Sequence, residues 1–97
     1  MFDKMKQLME MKKQADQLKR ELDATTVEFN EVSGIKIVVT GSQNFQSIEI
    51  DEPLLRAENK GKFQMDLLKS INAAIRKSQN AAAQKMKNVM GPGFPGF

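Results

Sequence analysis

The sequence predicts an α+β protomer of order α-β-β-β-α: a three-stranded antiparallel meander flanked by two long helices, which project from a shared body in a homodimer. Three observations predict it. The apolar spacing is about 3.5 residues before Asp23, about 2 between Val27 and Ile50, and helical again from Phe63 onward. Turn-forming residues fall between the alternating runs. The 97 residues make one domain with little apolar surface to bury, so a lone protomer is marginal and self-association is favoured.

The first helix is expected from about Asp3 to Asp23, roughly 30 Å long. With Leu8 at a heptad a position, Met1, Leu8, Ala15 and Leu22 share a, and Met11 and Leu18 take d, with Lys4 the one misfit. Such a narrow seam asks for a partner helix, as in a coiled coil, rather than a broad globular core. Asp3 is placed to cap its start.

The strands follow. Val27-Glu28-Phe29-Asn30, Ile35 to Thr40 and Ser47 to Asp51 alternate apolar with polar residues, separated by Ser33-Gly34 and by Gly41-Ser42-Gln43-Asn44. Both gaps suit hairpins. One face, carrying Val27, Phe29, Ile35, Ile37, Val39, Ile48 and Ile50, must be covered, while the other meets water. Phe29 and Phe45 are read as core. Asp51-Glu52-Pro53-Leu54-Leu55 reads as a cap and a short helix with Pro in its first turn. Arg56 to Gly61 reads as a polar connection.

A second helix is expected from about Lys62 to Val89, with Phe63, Leu67, Ile71, Ala74, Ile75, Ala82, Met86 and Val89 at spacings of three, four and seven. Residues 1–90 thus form a single domain. Residues 91–97, Gly-Pro-Gly-Phe-Pro-Gly-Phe, read as a flexible tail with two exposed rings. Neither helix of this chain can bury its full length on so small a sheet, and the leftover seams predict the homodimer.

Composition narrows the chemistry. With no Cys, His, Trp or Tyr there is no disulfide framework, no Cys/His metal site and no imidazole base. An enzyme is not expected, nor a cofactor, a metal or a small-molecule substrate. Glu49 and Asp51 share a strand face but lack a third ligand or a nucleophile, so they read as polar outer surface. Gly61-Lys62 is not a phosphate loop. The opening residues lack the apolar run of an export signal and no segment suits a membrane span, so a cytoplasmic address is expected.

The charge is patterned beyond its total of +3. Residues 1–23 carry six basic against five acidic groups, residues 24–60 three against six, and residues 61–97 six against one. Lys6, Lys13 and Arg20 take successive f positions of the first helix, with Lys12 and Lys19 at e. Lys62, Lys69 and Arg76 are again seven apart, with Lys77 adjacent and Lys85 and Lys87 beyond. Each set forms a cationic strip suited to the phosphates of a polyanion, and equally to solvent. Without Tyr or Trp, base-stacking platforms are poorly supported, and no helix-turn-helix or zinc-finger spacing is present. The polyanion that fits is duplex DNA gripped through its backbone.

Ser33-Gly34-Ile35-Lys36-Ile37-Val38-Val39-Thr40-Gly41, with Ile48-Glu49-Ile50-Asp51-Glu52-Pro53-Leu54-Leu55, resembles the YbaB/EbfC family of bacterial nucleoid-associated DNA-binding proteins. The similarity extends to the Met/Lys/Gln-rich first helix, to Leu67-Leu68 and Ala73-Ala74, and to the Met-Gly-Pro-Gly run. The resemblance implies an α-β-β-β-α protomer, a homodimer with helices projecting like tweezers, and DNA binding in the nucleoid, without a catalytic motif. The competing expectation is a coiled-coil adaptor or prefoldin-like chaperone that holds a protein partner. Its arms of about 30 Å are short for that role.

Overall fold

The computed structural model describes residues 2–90, so the expected tail at 91–97 lies outside the described residues. Helix α1 runs Phe2–Ala24, strands β1, β2 and β3 run Thr26–Phe29, Ile35–Thr40 and Phe45–Ile50, and helix α2 runs Lys60–Met90. The sheet order is β1-β2-β3, antiparallel throughout. This is the α-β-β-β-α order that the change of apolar period dictates.

Register puts the apolar residues on one face. Val27 pairs with Val39 and Phe29 with Ile37 across β1 and β2, while Ile35 pairs with Ile50 and Ile37 with Ile48 across β2 and β3. A bulge at Val38/Val39 brings Phe45 opposite Val39. Helix α2 crosses this face over β1 and β2. Phe29, Ile35, Ile37, Val39 and Ala74 form the core, with Val27, Val32, Leu54, Phe63 and Ile71 packed around it. The helix comes close because Ser70, Ala74 and Ser78, one turn apart, turn small side chains to the sheet. Both buried hydroxyls are satisfied: Ser70 Oγ donates to the Asp66 carbonyl (2.7 Å) and Ser78 Oγ to the Thr40 carbonyl (2.6 Å).

The expected cover stops at β2. Ile37 is fully buried, whereas its cross-strand partner Ile48 is 47% exposed and Phe45, read as core, is 38% exposed. The reason is width. A helix about 10 Å across spans two strands about 4.8 Å apart and leaves the third bare.

The connections are tighter than the sequence suggests. Arg56 to Gly61 is not a loose linker: 3-10 turns at Glu52–Leu55 and Ala57–Asn59 lead straight into α2. Asn59 stitches them, its amide nitrogen donating to the Pro53 carbonyl (2.9 Å) and its backbone N–H to that of Arg56 (2.9 Å). Asp51 precedes the first turn but its side chain makes no capping bond. Asp3 lies inside the first turn of α1, where its charge suits the helix dipole, rather than at the cap position.

The root of α1 is fixed by the second hairpin. Gly41 N–H donates to the carbonyls of Leu22 (3.1 Å) and Thr25 (2.9 Å), and Ser42 Oγ donates to Asp23 Oδ1 (2.6 Å) while sharing a hydrogen bond with Thr40 Oγ1 (2.9 Å). A side chain at Gly41 would meet Leu22 Cδ2 at 3.1 Å, so the approach depends on glycine. Leu18 is buried, but residues 3–17 of α1 are exposed. They form an arm, and the described residues measure 67 × 20 × 17 Å.

Candidate nucleic-acid interface

An α-helix turns roughly 100° per residue, which fixes where each cation stands relative to the buried line of its helix. On α2 that line is Ser70, Ala74 and Ser78. Lys62, Lys69, Arg76 and Lys87 recur at roughly the same angle on the opposite side, forming one exposed file about 38 Å long. That length is close to one turn of a DNA duplex, about 34–36 Å. Lys62 Nζ lies 2.7 Å from Asp66 Oδ2, one turn along the helix, with Lys62 exposed and Asp66 half-buried.

Two of the sequence-chosen cations on α2 stand elsewhere. Lys77 reaches the sheet edge, where its Nζ donates to the Glu28 carbonyl (2.8 Å). Lys85 shares the angular position of Leu67 and is half-buried where α2 leaves the sheet and meets α1. The file therefore holds four of the six basic residues that α2 contributes to the sequence reading.

On α1 the line facing α2 is marked by buried Leu18 and half-buried Leu22. Arg20, Lys13 and Lys6 lie roughly 200–240° around the helix from Leu18 and are exposed, as are Lys12 and Lys19 between the two lines. Arg20 Nε donates to the Asp16 carbonyl (3.4 Å), and with Lys13, Gln17, Glu21 and Ala24 it borders a shallow open groove. Within one protomer the files on α1 and α2 thus point away from each other. They do not merge into a single wall.

The apolar surface left bare is equally ordered. Because Lys77 marks the β1 side of α2, the flank half a turn away, with Leu68 and Ile75, lies on the β3 side. Leu68 is 63% exposed, on the flank of α2 toward the strand that carries the uncovered Phe45 and Ile48. The sequence assigned Ile48 to a covered face and gave Leu68 no role. The one signal available was that Met65 and Leu68 fall outside the stripe running through Phe63, Leu67 and Ile71.

Glu49 and Asp51 border an open cleft with Asn30, Val32, Gly34, Ile35 and Lys36, and Lys36 Nζ sits 3.7 Å from Glu28 Oε1. Among the described residues no group of three or more acidic side chains is placed to hold a metal ion, and no helix is long and apolar enough to cross a membrane.

Comparison with known proteins agrees with this architecture. A chain of an uncharacterized protein from Helicobacter pylori superposes with a TM-score of 0.77 at 22% identity, covering 94% of this chain and 98% of that one, which shows the shared fold. A nucleoid-associated protein of Pelotomaculum thermopropionicum is 33% identical over 88 residues, 90% of this chain and 84% of the relative. One from Syntrophobacter fumaroxidans is 30% identical over 91 residues, 93% of this chain and 83% of the relative. The model of the YbaB/EbfC DNA-binding family matches residues 1–93. Helix arms, meander and cationic files therefore sit in a chain that belongs to the YbaB/EbfC DNA-binding family.

Proposed function

We propose that this protein is a non-enzymatic, nucleoid-associated DNA-binding protein of the cytoplasm that grips duplex DNA as a homodimer, through backbone phosphates and with weak sequence preference. The observation that carries this reading is the exposed file Lys62, Lys69, Arg76 and Lys87 along one side of α2, in a chain of a DNA-binding family. Four cations spread over about one duplex turn suit phosphates, which accept from Lys and Arg without base-specific geometry. The chain has no Tyr or Trp to stack on bases, and Phe63, next to Lys62, packs against the core.

Two features support the dimer. Phe45, Ile48, Leu68 and Ile75 make an apolar patch that a second copy buries, and β3 is a free sheet edge beside it. The two cationic files of one protomer diverge, so a second protomer is needed to set one file facing another across a duplex. Lys6, Lys12, Lys13, Lys19 and Arg20 then line the arm on the second side, while Lys77 stays on the Glu28 carbonyl and Lys85 stays half-buried. Compaction of DNA or modulation of gene expression follows from such a grip.

The test is the affinity for two unrelated duplexes of equal length across a salt series. Affinity is expected to fall steeply as salt rises and to be nearly equal for the two sequences. An unbound duplex at low salt in the presence of folded protein would overturn the reading. Changing Lys69 and Arg76 together to Ala should weaken both duplexes alike and flatten the salt slope by up to about two.

A further inference from the structure

Self-association on the β3 side leaves a second apolar surface without a role. At the tip of α1, Met5, Leu8, Met9 and Met11 are 60–65% exposed. Met11 and Leu8 continue the line of α1 that carries buried Leu18 and half-buried Leu22, and Met5 and Met9 widen it around the helix. Lys4 and Lys12 are the cations within this apolar side. Lys6 and Lys13 lie beyond its border, roughly 220–240° around the helix from Leu18, and Glu10 lies further round. The tip of the arm thus has an apolar side and a charged side.

Charge and area decide what fits that apolar side. Residues 1–23 carry six basic and five acidic groups, so two first helices approach each other with little net repulsion. The same near balance gives an anionic lipid surface little to attract, and the helices that lie on such surfaces are rich in Lys and Arg on their polar face. The patch is also small. Burying a Leu or Met side chain removes about 60–120 Å² from water, so four of them at these exposures offer about 150–300 Å² per copy. A stable interface takes about 800 Å² from each partner. Such a contact does not hold two free molecules together. It acts between molecules already held close to one another, at millimolar effective concentration.

We propose that the tip of α1 is a second, weak self-association surface, on which the α1 tip of another copy lies antiparallel. An antiparallel pair of identical helices is two-fold, so the one patch meets itself. With the axis between Leu8 and Met9, each Leu8 lies level with Met9 of the other copy, and each Met5 lies level with Lys12 of the other copy. The aliphatic stem of Lys12 covers Met5 there while its ammonium stays in water. Unbranched methionine side chains adapt to such a contact without a fixed jigsaw of shapes. The charged side, with Lys6 and Lys13, stays free. On a duplex, neighbouring copies then favour each other's binding. That consequence rests on the DNA-binding reading, whereas the contact itself does not.

The chain has no cysteine, so a single Leu8→Cys change reports the contact. It is made in the full-length chain carrying Ile48→Asp, which removes pairing through β3, and thiol-to-thiol cross-linking is followed as protein concentration rises. Glu10→Cys, on the charged side at the same level, is the reference. Leu8→Cys is expected to cross-link several-fold faster than Glu10→Cys, and adding Met5→Ser/Met9→Ser should bring its rate down to the reference. Equal rates at the two positions, or a Leu8→Cys rate that the serine changes leave unaltered, would overturn the proposal. So would vesicles of anionic lipid that bind the unchanged chain and not Met5→Ser/Met9→Ser, since the tip would then face a lipid surface. On DNA, the unchanged chain should fill a long duplex cooperatively and Met5→Ser/Met9→Ser should fill it independently, with equal affinity of the two for a duplex that holds one dimer. An unchanged chain that binds neither duplex would fail the DNA-binding reading alone, because cross-linking decides the contact without DNA.

Discussion

Strands β1 and β2 differ from β3 more than their sequences do. All three present apolar residues to the same face, yet Ile37 is fully buried and its cross-strand neighbour Ile48 is nearly half exposed. The difference is a matter of cover: one helix spans two strands. A pattern of alternation reports which face is apolar, and the width of the element above decides which strand is core and which stays exposed.

The largest effect is expected on the covered side. Ile37→Ala removes a buried branched side chain from between Phe29, Ile48 and α2, where collapse is restricted by paired strands on both sides, and should cost about 2–5 kcal/mol. That is a large part of the roughly 5–15 kcal/mol available to a domain. Chemical denaturation at fixed protein concentration measures it. A loss below about 1 kcal/mol would mean that the β1–β2 side is not the core.

Next comes the tie between α2 and the second hairpin. Ser78→Ala removes the 2.6 Å bond to the buried Thr40 carbonyl, which keeps the Gln43 N–H (3.0 Å) as its other partner, at a cost of about 1.5 kcal/mol. Because Thr40 also joins Ser42 and, through it, Asp23 on α1, the same change should loosen the arm's root. Faster amide exchange at Thr25 and Gly41 would register that loosening.

Gly34→Ala follows. Gly34 has φ +88°, and an added Cβ would collide with Leu54 Cδ1, which can shift, whereas the backbone angle cannot. The left-handed conformation alone costs a non-glycine residue about 1–2 kcal/mol. The melting temperature should fall accordingly with the sheet retained.

These sites also mark how much was legible in the sequence. The change of apolar period from helical to alternating and back placed every strand and both helices, because local backbone geometry imposes those periods directly. The seven-residue spacing of Lys62, Lys69 and Arg76 located the file on α2, since helical phase depends on sequence distance alone. Lys77 and Lys85 were indistinguishable from them. Their assignment rests on the Glu28 carbonyl 49 positions away and on the packing of α1, neither of which spacing records. Phe45 and Ile48 failed as core for the same reason. What lies above a strand is tertiary, and the alternation of Ile48 and Ile50 would read alike under a helix, under a partner or in water.

The smallest effect on the protomer's own unfolding is expected at Ile48, and it isolates the comparison. Ile48→Asp places a carboxylate on a side chain that already meets solvent, so a protomer kept dilute should change by about 0.5 kcal/mol or less. The same charge set into an apolar contact between two copies would be buried without a partner, a cost that prevents association. Sedimentation should therefore report protomer mass for the variant and twice that for the unchanged chain, with matching circular dichroism. DNA affinity should drop with the mass, since the second cationic wall is lost. A variant that keeps double mass would move the interface away from β3. One that unfolds even when dilute would mean that Ile48 belongs to the protomer's core after all, and the distinction between covered and bare strands would fail.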